Sequence, residues 1–473
     1  MQGNVARVFD PVRWPPEAWI PLAAGVLWNA VALSAGLPWG VPALIPGTFL
    51  VVSGGGMLLH PGDRRISHFG ALGGALGVLL ALPGLLAVGV TALGLGIAAA
   101  AAFVASGRHA LRLDPHPEGV PEPPETLRVS AETALDETIL GTMVFTQQFP
   151  GAGDHARIRR EVEEARERFA AAGWLEKPAA YHEAPPPPEA VQLRPATSRG
   201  TTYEHLRFES GYAPREGEPG GARWQSYLPN RTAHAWVVRG DPARSWLLCV
   251  HGYRMGVPWI DLGAFDPRFL HEKLGLNLVL PVLPLHGPRK VGRRSGDGFL
   301  GGDLLDTIHA EAQAMWDLRR LLAWVRSQSD APVGAYGLSL GGYTTALLAG
   351  IEDGLDCAIA GIPATDFART FYRHGGPLQE RAVAFAGLDE ARMREVLTVV
   401  SPLSLAPRVA HERRAVFGGI VDRLVPPDQV RDLWRHWGEP RIAWYPGSHL
   451  TFNLHAEVRA LIRDVLGESG LAG

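Results

Sequence analysis

Cysteine is nearly absent from the sequence: Cys249 and Cys357 are the only two. Two thiols cannot build a disulfide framework, nor a zinc site made mainly of thiolates. A dominant charge is missing as well. Lys and Arg number 45 and Asp and Glu 48, a net charge of −3, which leaves no overall basic footprint for nucleic acid. Charged residues make up 20% and hydrophobic ones 46%, too apolar a balance for a disordered chain. Glycine (56) and proline (39) are plentiful but follow no period, which excludes collagen. There is no P-loop, no Gly-x-Gly-x-x-Gly opening a helix after a strand, and no His-Glu-x-x-His. Nothing in the sequence calls for a cofactor or a metal.

Locally the lack of charge is complete. No Asp, Glu, Lys or Arg occurs from Ala18 to Gly62, and none from Ile66 to Gly107. Each run is about twice the roughly 20 helical residues that a bilayer takes, so each holds two spans. Leu37-Pro38-Trp39-Gly40 and Leu82-Pro83-Gly84 mark turns, which places spans at about 19–37, 42–60, 68–86 and 88–106. None of the four shows the polar face of a soluble helix. Arg7, Asp10, Arg13 and Glu17 precede the first, a poor fit to a secretory signal. Arg7 and Arg13, Arg64 and Arg65, and Arg108 and Arg112 all fall on one side of four spans. The positive-inside rule makes that side, and the rest of the chain, cytoplasmic. Trp14, Trp19 and Trp39 are candidate interface anchors.

Residues 1–112 are thus expected to form a transmembrane region, 113–200 a linker with a charged helix, and 201–473 a further domain. Residues 113–126 are proline-rich. From Asp154 to Gly173 a charged helix presents Ile158, Val162, Ala165 and Phe169 on one face, and Pro185–Pro188 breaks the chain again. From about 200 onward, short β-branched runs alternate with helical stretches, the pattern of a mostly parallel sheet with helices on both faces.

The chemistry lies in the last part of the chain. A strand from Val333 to Tyr336 runs into Gly337-Leu338-Ser339-Leu340-Gly341 and then into an Ala/Leu-rich helix. This is the setting of a nucleophile elbow, where glycines allow the serine a strained backbone. The strand Trp246–Val250 ends in His251-Gly252, which makes the Tyr253 amide one candidate oxyanion donor and the Leu340 amide the other. Asp422 and His449 each follow a short apolar strand and precede a helix. The order Ser339, Asp422, His449 is that of an α/β-hydrolase triad.

Residues from about 203 to 470 resemble an α/β-hydrolase, nearest to the dienelactone-hydrolase and prolyl-oligopeptidase-like branch. The resemblance is carried by His251-Gly252, Gly337–Gly342, Ser401-Pro402-Leu403, Gly418–Pro426 and Gly447-Ser448-His449. It implies an eight-stranded sheet and acyl transfer through serine. The family's acid loop often has His-Gly where this chain has Gly418-Gly419, a departure with no expected catalytic cost.

His251 is read as a structural loop histidine at the pocket's edge, and His286 as a loop histidine with a chance to touch substrate. Asp366 is the second candidate for the acid and fits a substrate loop better. Arg289, Lys290, Arg293 and Arg294 read as a solvated basic loop, with contact to anionic headgroups as the sharper reading. Phe367–Thr398, with Phe371, Tyr372 and Phe385, is either a lid or a plain helix pair. Together these features predict a membrane-anchored cytoplasmic serine hydrolase of carboxylic esters, lipid acyl esters among them. Its partners would be a small-molecule or lipid ester and membrane lipids, with no nucleic acid. A peptidase or thioesterase on the same fold, or a non-catalytic membrane scaffold, are the alternatives; the full Ser/Asp/His set argues against the scaffold. A transporter would need charged residues inside the spans to mark an ion path or proton relay, and no Asp, Glu, Lys or Arg is there.

Overall fold

The structure is a computed structural model that describes residues 14–114, 116–147, 150–151, 153–375 and 388–472. Arg7, Asp10, Arg13 and Phe385, used in the sequence reading, lie outside them. The chain divides into two compact units. One holds the chain up to Thr146 together with Gly419–Pro426 and Pro446–Phe452; the other holds Gln147–Gly418, Pro427–Tyr445 and Asn453–Gly473.

The first unit contains α1 (Trp19–Ala35), α2 (Gly40–Leu59), α3 (Ile66–Val88), α4 (Thr91–Leu113) and α5 (Leu127–Thr146). The first four are long and apolar enough to cross a membrane. Their outward faces are apolar as well, with Leu33, Val52, Leu82, Leu86 and Ile97 all exposed. Small residues take the inside and let the backbones approach. A Cβ on Gly70 would fall 2.2 Å from Ser106 Oγ and 2.5 Å from Ser53 Oγ, so only glycine fits there. Trp28 fills the centre and donates from its indole to the Leu95 carbonyl at 3.0 Å.

Three details differ from the sequence reading. Trp39 is not an interface anchor: it is buried against Trp28 and donates to Leu80 O at 3.1 Å, whereas Trp14 and Trp19 are exposed. Pro83 does not turn the chain but lies inside α3, and the break comes at Gly89, which takes a φ of +58°. A proline removes one donor from a helix whose neighbours can absorb the loss; the left-handed turn needs glycine. Finally, α4 runs on to Leu113, beyond the expected end at 106. The stretch beyond residue 112, read as a linker with one helix, also contains α5. Thr126 caps it, its hydroxyl accepting from Val129 N at 3.2 Å.

In the second unit α6 (His155–Ala171) buries Ile158, Val162, Ala165 and Phe169, the face expected from the sequence. A nine-stranded sheet follows, in the order β1-β2-β3-β5-β4-β6-β7-β8-β9. The strands are β1 (Gln192–Ser198), β2 (Thr201–Glu209), β3 (Thr232–Val238), β4 (Trp246–Val250), β5 (Asn277–Val282), β6 (Val333–Leu338), β7 (Cys357–Gly361), β8 (Arg414–Gly419) and β9 (Arg441–Tyr445). Pairing is antiparallel from β1 to β3 and between β3 and β5, then parallel through β5, β4, β6, β7 and β8. Every residue of β4, β5, β6 and β7 is buried, as strands covered on both faces must be. The helices that follow are α7 (Gly221–Ser226), α8 (Pro258–Phe265), α9 (Leu304–Gln328), α10 (Leu340–Ile351), α11 (Phe367–His374), α12 (Glu390–Leu397), α13 (Pro427–His436) and α14 (Ala456–Glu468). This is the α/β-hydrolase fold, with one strand more than the eight expected, because β1 adds an antiparallel edge to β2.

The basic loop after β5 is not wholly solvated. Arg289 is 1% exposed and donates to the Val282 and Asn230 carbonyls, both at 3.0 Å, and to Asp317 Oδ2 at 2.7 Å. Its cation is spent inside the protein, cross-linking the β5 loop to α9, so it cannot meet lipid headgroups.

Candidate active site

Strand β6 delivers Ser339 to the surface through a sharp turn. Ser339 has φ +58° and ψ −116°, a conformation that costs an L-residue on the order of 1–3 kcal/mol. The surroundings enforce it. Ser339 N donates to Gly361 O at 2.9 Å, its carbonyl accepts from Tyr343 N at 3.0 Å, and α10 begins at the next residue. A Cβ on Gly337 would fall 1.9 Å from Gly341 O, and one on Gly341 1.9 Å from Val250 O. Both glycines of the motif are therefore sterically required. Residues 333–338 and Leu340 are buried while Ser339 is partly exposed.

The loop after β4 lies against this serine. A Cβ on Gly252 would sit 3.3 Å from Ser339 Cβ. The Tyr253 and Leu340 amides therefore belong to the two segments that flank Ser339, and the positive end of α10 points at the same place.

In the other unit, Asp422 and His449 meet. His449 Nδ1 donates to Asp422 Oδ2 at 2.6 Å, and Asp422 Oδ1 accepts from Val425 N at 2.8 Å. Both residues are almost fully buried, and Val421 N donates to Gly447 O, tying the two loops together. Burial alone would depress the histidine's pKa. The charge and hydrogen bond of Asp422, helped by Asp136, outweigh it, and the net shift is upward from 6.5. With Nδ1 engaged on Asp422, the imidazole is held in one orientation.

The remaining candidates have other work. His251 keeps both nitrogens occupied: Nδ1 on its neighbour's carbonyl at 2.8 Å, Nε2 accepting from Leu283 N at 3.1 Å. Burial lowers its pKa. His286 is fully buried, with Nδ1 on Pro284 O at 2.9 Å and its ring packed against His251, Tyr253 and Phe299. Its burial likewise pushes the pKa far down. Asp366 caps α11 by accepting from Arg369 N at 3.0 Å, and its other oxygen accepts from Arg394 Nε at 2.9 Å. Both of its oxygens are thus already engaged, one by a backbone amide and one by a guanidinium. Of the possible lid, α11 and α12 are described, whereas 376–387 lie outside the described residues.

The sequence reading missed a residue. Asp136 of α5 is fully buried, and its Oδ2 accepts from both Arg423 N and His449 N, each at 2.9 Å. Burial and the nearby Asp422 charge push its pKa up to about 7. The available signal was Glu132 and Asp136, four residues apart on one helix face, with Glu137 beside them.

No family model matches the chain. Two Mycobacterium tuberculosis proteins, uncharacterized protein MT2702 of strain CDC 1551 / Oshkosh and uncharacterized protein Rv2627c of strain ATCC 25618 / H37Rv, are each 41% identical to it over 362 residues, covering 76% of this chain and 87% of theirs. A continuous stretch of that length in 473 residues includes both α5 and Ser339 wherever it begins. Among solved structures, an acetyl xylan esterase from Paenibacillus sp. R4 is similar at 16% identity and a TM-score of 0.45, covering 69% of this chain and 98% of that one. What assigns the fold is the strand order and the strained serine between β6 and α10.

Proposed function

We propose, for a chain that belongs to the family of these two mycobacterial proteins, that it is a membrane-embedded serine hydrolase that cleaves carboxylic esters, lipid acyl esters among them. Ser339 Oγ attacks the carbonyl carbon while His449 Nε2 takes its proton. Asp422 holds the imidazole and stabilises the imidazolium. The Tyr253 and Leu340 amides receive the developing oxyanion, a single such donor being worth about 3 kcal/mol. The carbon–oxygen bond to the leaving group then breaks, His449 returns the proton to the departing alkoxide, and an acyl-enzyme remains on Ser339. Water, deprotonated by His449, releases the carboxylic acid and restores the serine.

The observation that carries this reading is the backbone of Ser339. A serine held at φ +58° between a buried strand and a helix N-terminus is strain with a purpose. The paired Asp422 and His449, on the loops that continue β8 and β9, support it. The chemistry fits the dienelactone-hydrolase and prolyl-oligopeptidase-like branch. Four helices apolar inside and outside support a multi-pass membrane location, and the arginines at 64, 65, 108 and 112 support a cytoplasmic hydrolase domain.

A fluorophosphonate probe tests the reading. The wild-type chain in detergent is expected to label covalently, and Ser339→Ala to lose labelling while keeping its thermal unfolding profile. Folded wild-type protein that never labels would favour the scaffold.

A further inference from the structure

Helix α5 meets the acid and histidine loops through buried carboxylates. Asp136 Oδ2 takes the backbone N–H of His449 and that of Arg423, the residue after Asp422. One oxygen thus joins the two loops that carry the proposed base and acid. Its neighbours on the same face reinforce the joint. Glu132 accepts from Thr451 Oγ1 at 2.7 Å, and that hydroxyl in turn accepts from Ser448 N at 3.0 Å. Glu137 accepts from Arg423 Nε at 2.8 Å and pairs with His68 Nδ1 of α3 at 2.5 Å, while Arg423 also binds Asp114.

These carboxylates are an unusual choice for a mere helix contact. Among the described residues Asp136 forms no ion pair with an arginine or lysine, and its other oxygen accepts no hydrogen bond. Burying a carboxylate in that way is unfavourable, and an apolar side chain would pack the same helix at less cost. What this side chain provides, and an apolar one cannot, is an acceptor oxygen that can hold two backbone donors from different loops at once.

We propose that Asp136 is a positioning residue of the active centre: by accepting both amides it fixes the His449 loop to the Asp422 loop, so that α5 and the N-terminal helices are part of the catalytic apparatus rather than an anchor alone. This rests on the hydrolase reading above for its catalytic purpose, not for its geometry.

The test uses the full chain in detergent, with Asp136→Ala and Asp136→Asn. Asparagine keeps a carbonyl oxygen for the two amides; alanine does not. With p-nitrophenyl acetate, Asp136→Ala is expected to lose about 100-fold in kcat with KM little changed, the scale at which a displaced catalytic group acts. Asp136→Asn is expected to stay within a few-fold of wild type. Hydrogen exchange of peptides spanning 419–426 and 446–452 is expected to quicken at least tenfold in the alanine variant and not in the asparagine variant. Wild-type kcat in Asp136→Ala, or an asparagine variant as slow as the alanine one, overturns the proposal. If the wild-type chain neither labels nor turns over ester, the hydrolase reading falls and takes the catalytic purpose with it. Unchanged exchange in Asp136→Ala overturns the joint itself, whatever the labelling shows.

Discussion

The Asp422→Asn variant is expected to hydrolyse p-nitrophenyl acetate about ten-thousand-fold more slowly than the wild-type chain. The reason lies in which atoms Asp422 faces. Its Oδ1 accepts from Val425 N at 2.8 Å and its Oδ2 from His449 Nδ1 at 2.6 Å. An asparagine must give its one carbonyl oxygen to the Val425 amide, which can only donate. Its NH2 group is then left facing His449 Nδ1. That nitrogen has to become the acceptor, the ring proton moves to Nε2, and the atom meant to take the serine proton is already protonated. The pH profile gives a second mark. His449 must be neutral to act as base, and its pKa lies above the ordinary 6.5, so wild-type kcat/KM should fall as pH drops through a value above that figure. Removing the Asp422 charge removes the principal upward influence on His449, and the acid limb should move to lower pH even as the plateau collapses. A loss of less than tenfold, with an unmoved limb, would mean that another group orients the histidine.

The second large effect is on stability. Arg289→Met should destabilise the protein by about 3–5 kcal/mol, read as a lower midpoint in urea unfolding followed by tryptophan fluorescence. Arg289 and Asp317 are 1% and 6% exposed, and Ser210 Oγ donates to the same carboxylate at 2.5 Å. Burial already raises the pKa of Asp317 even with the guanidinium 2.7 Å away. Without that cation, Asp317 must either stay charged and unpaired or take up a proton. The double variant Arg289→Met with Asp317→Leu should recover much of the loss, because the penalty belongs to the stranded charge rather than to the missing pair. A single variant within 1 kcal/mol of wild type would show that solvent reaches this site.

The parts of the molecule that were legible in the sequence are those fixed by local pattern. Ser339 stands between a short strand and an Ala/Leu-rich helix, with glycines two residues away on each side, and the structure shows why neither glycine has room for a Cβ. The four apolar helices needed only the absence of charge. Asp422 and His449 could be named because each follows a short apolar strand, a feature within reach of a few residues. Asp136 was invisible for the opposite reason: its two partners lie 287 and 313 positions away, and a carboxylate on a helix ordinarily reads as a solvated one. Arg289 was misread by the same rule, taken with its neighbours as a surface charge run although Asp317 draws it inside. Asp366 follows a strand as Asp422 does, and what sets them apart is that Asp366 caps Arg369 and pairs with Arg394 whereas Asp422 holds His449. Pattern locates chain turns and strand ends; it does not tell which distant group neutralises a buried charge.

The central claim is that Ser339 becomes a nucleophile because His449 takes its proton. It is tested most directly by mapping the fluorophosphonate adduct by peptide mass spectrometry in the wild-type chain and in His449→Ala. The account requires the wild-type adduct to sit on Ser339 and the labelling rate of folded His449→Ala to fall by several orders of magnitude. An adduct on a different residue, or a His449→Ala chain that labels at Ser339 as fast as wild type, contradicts it.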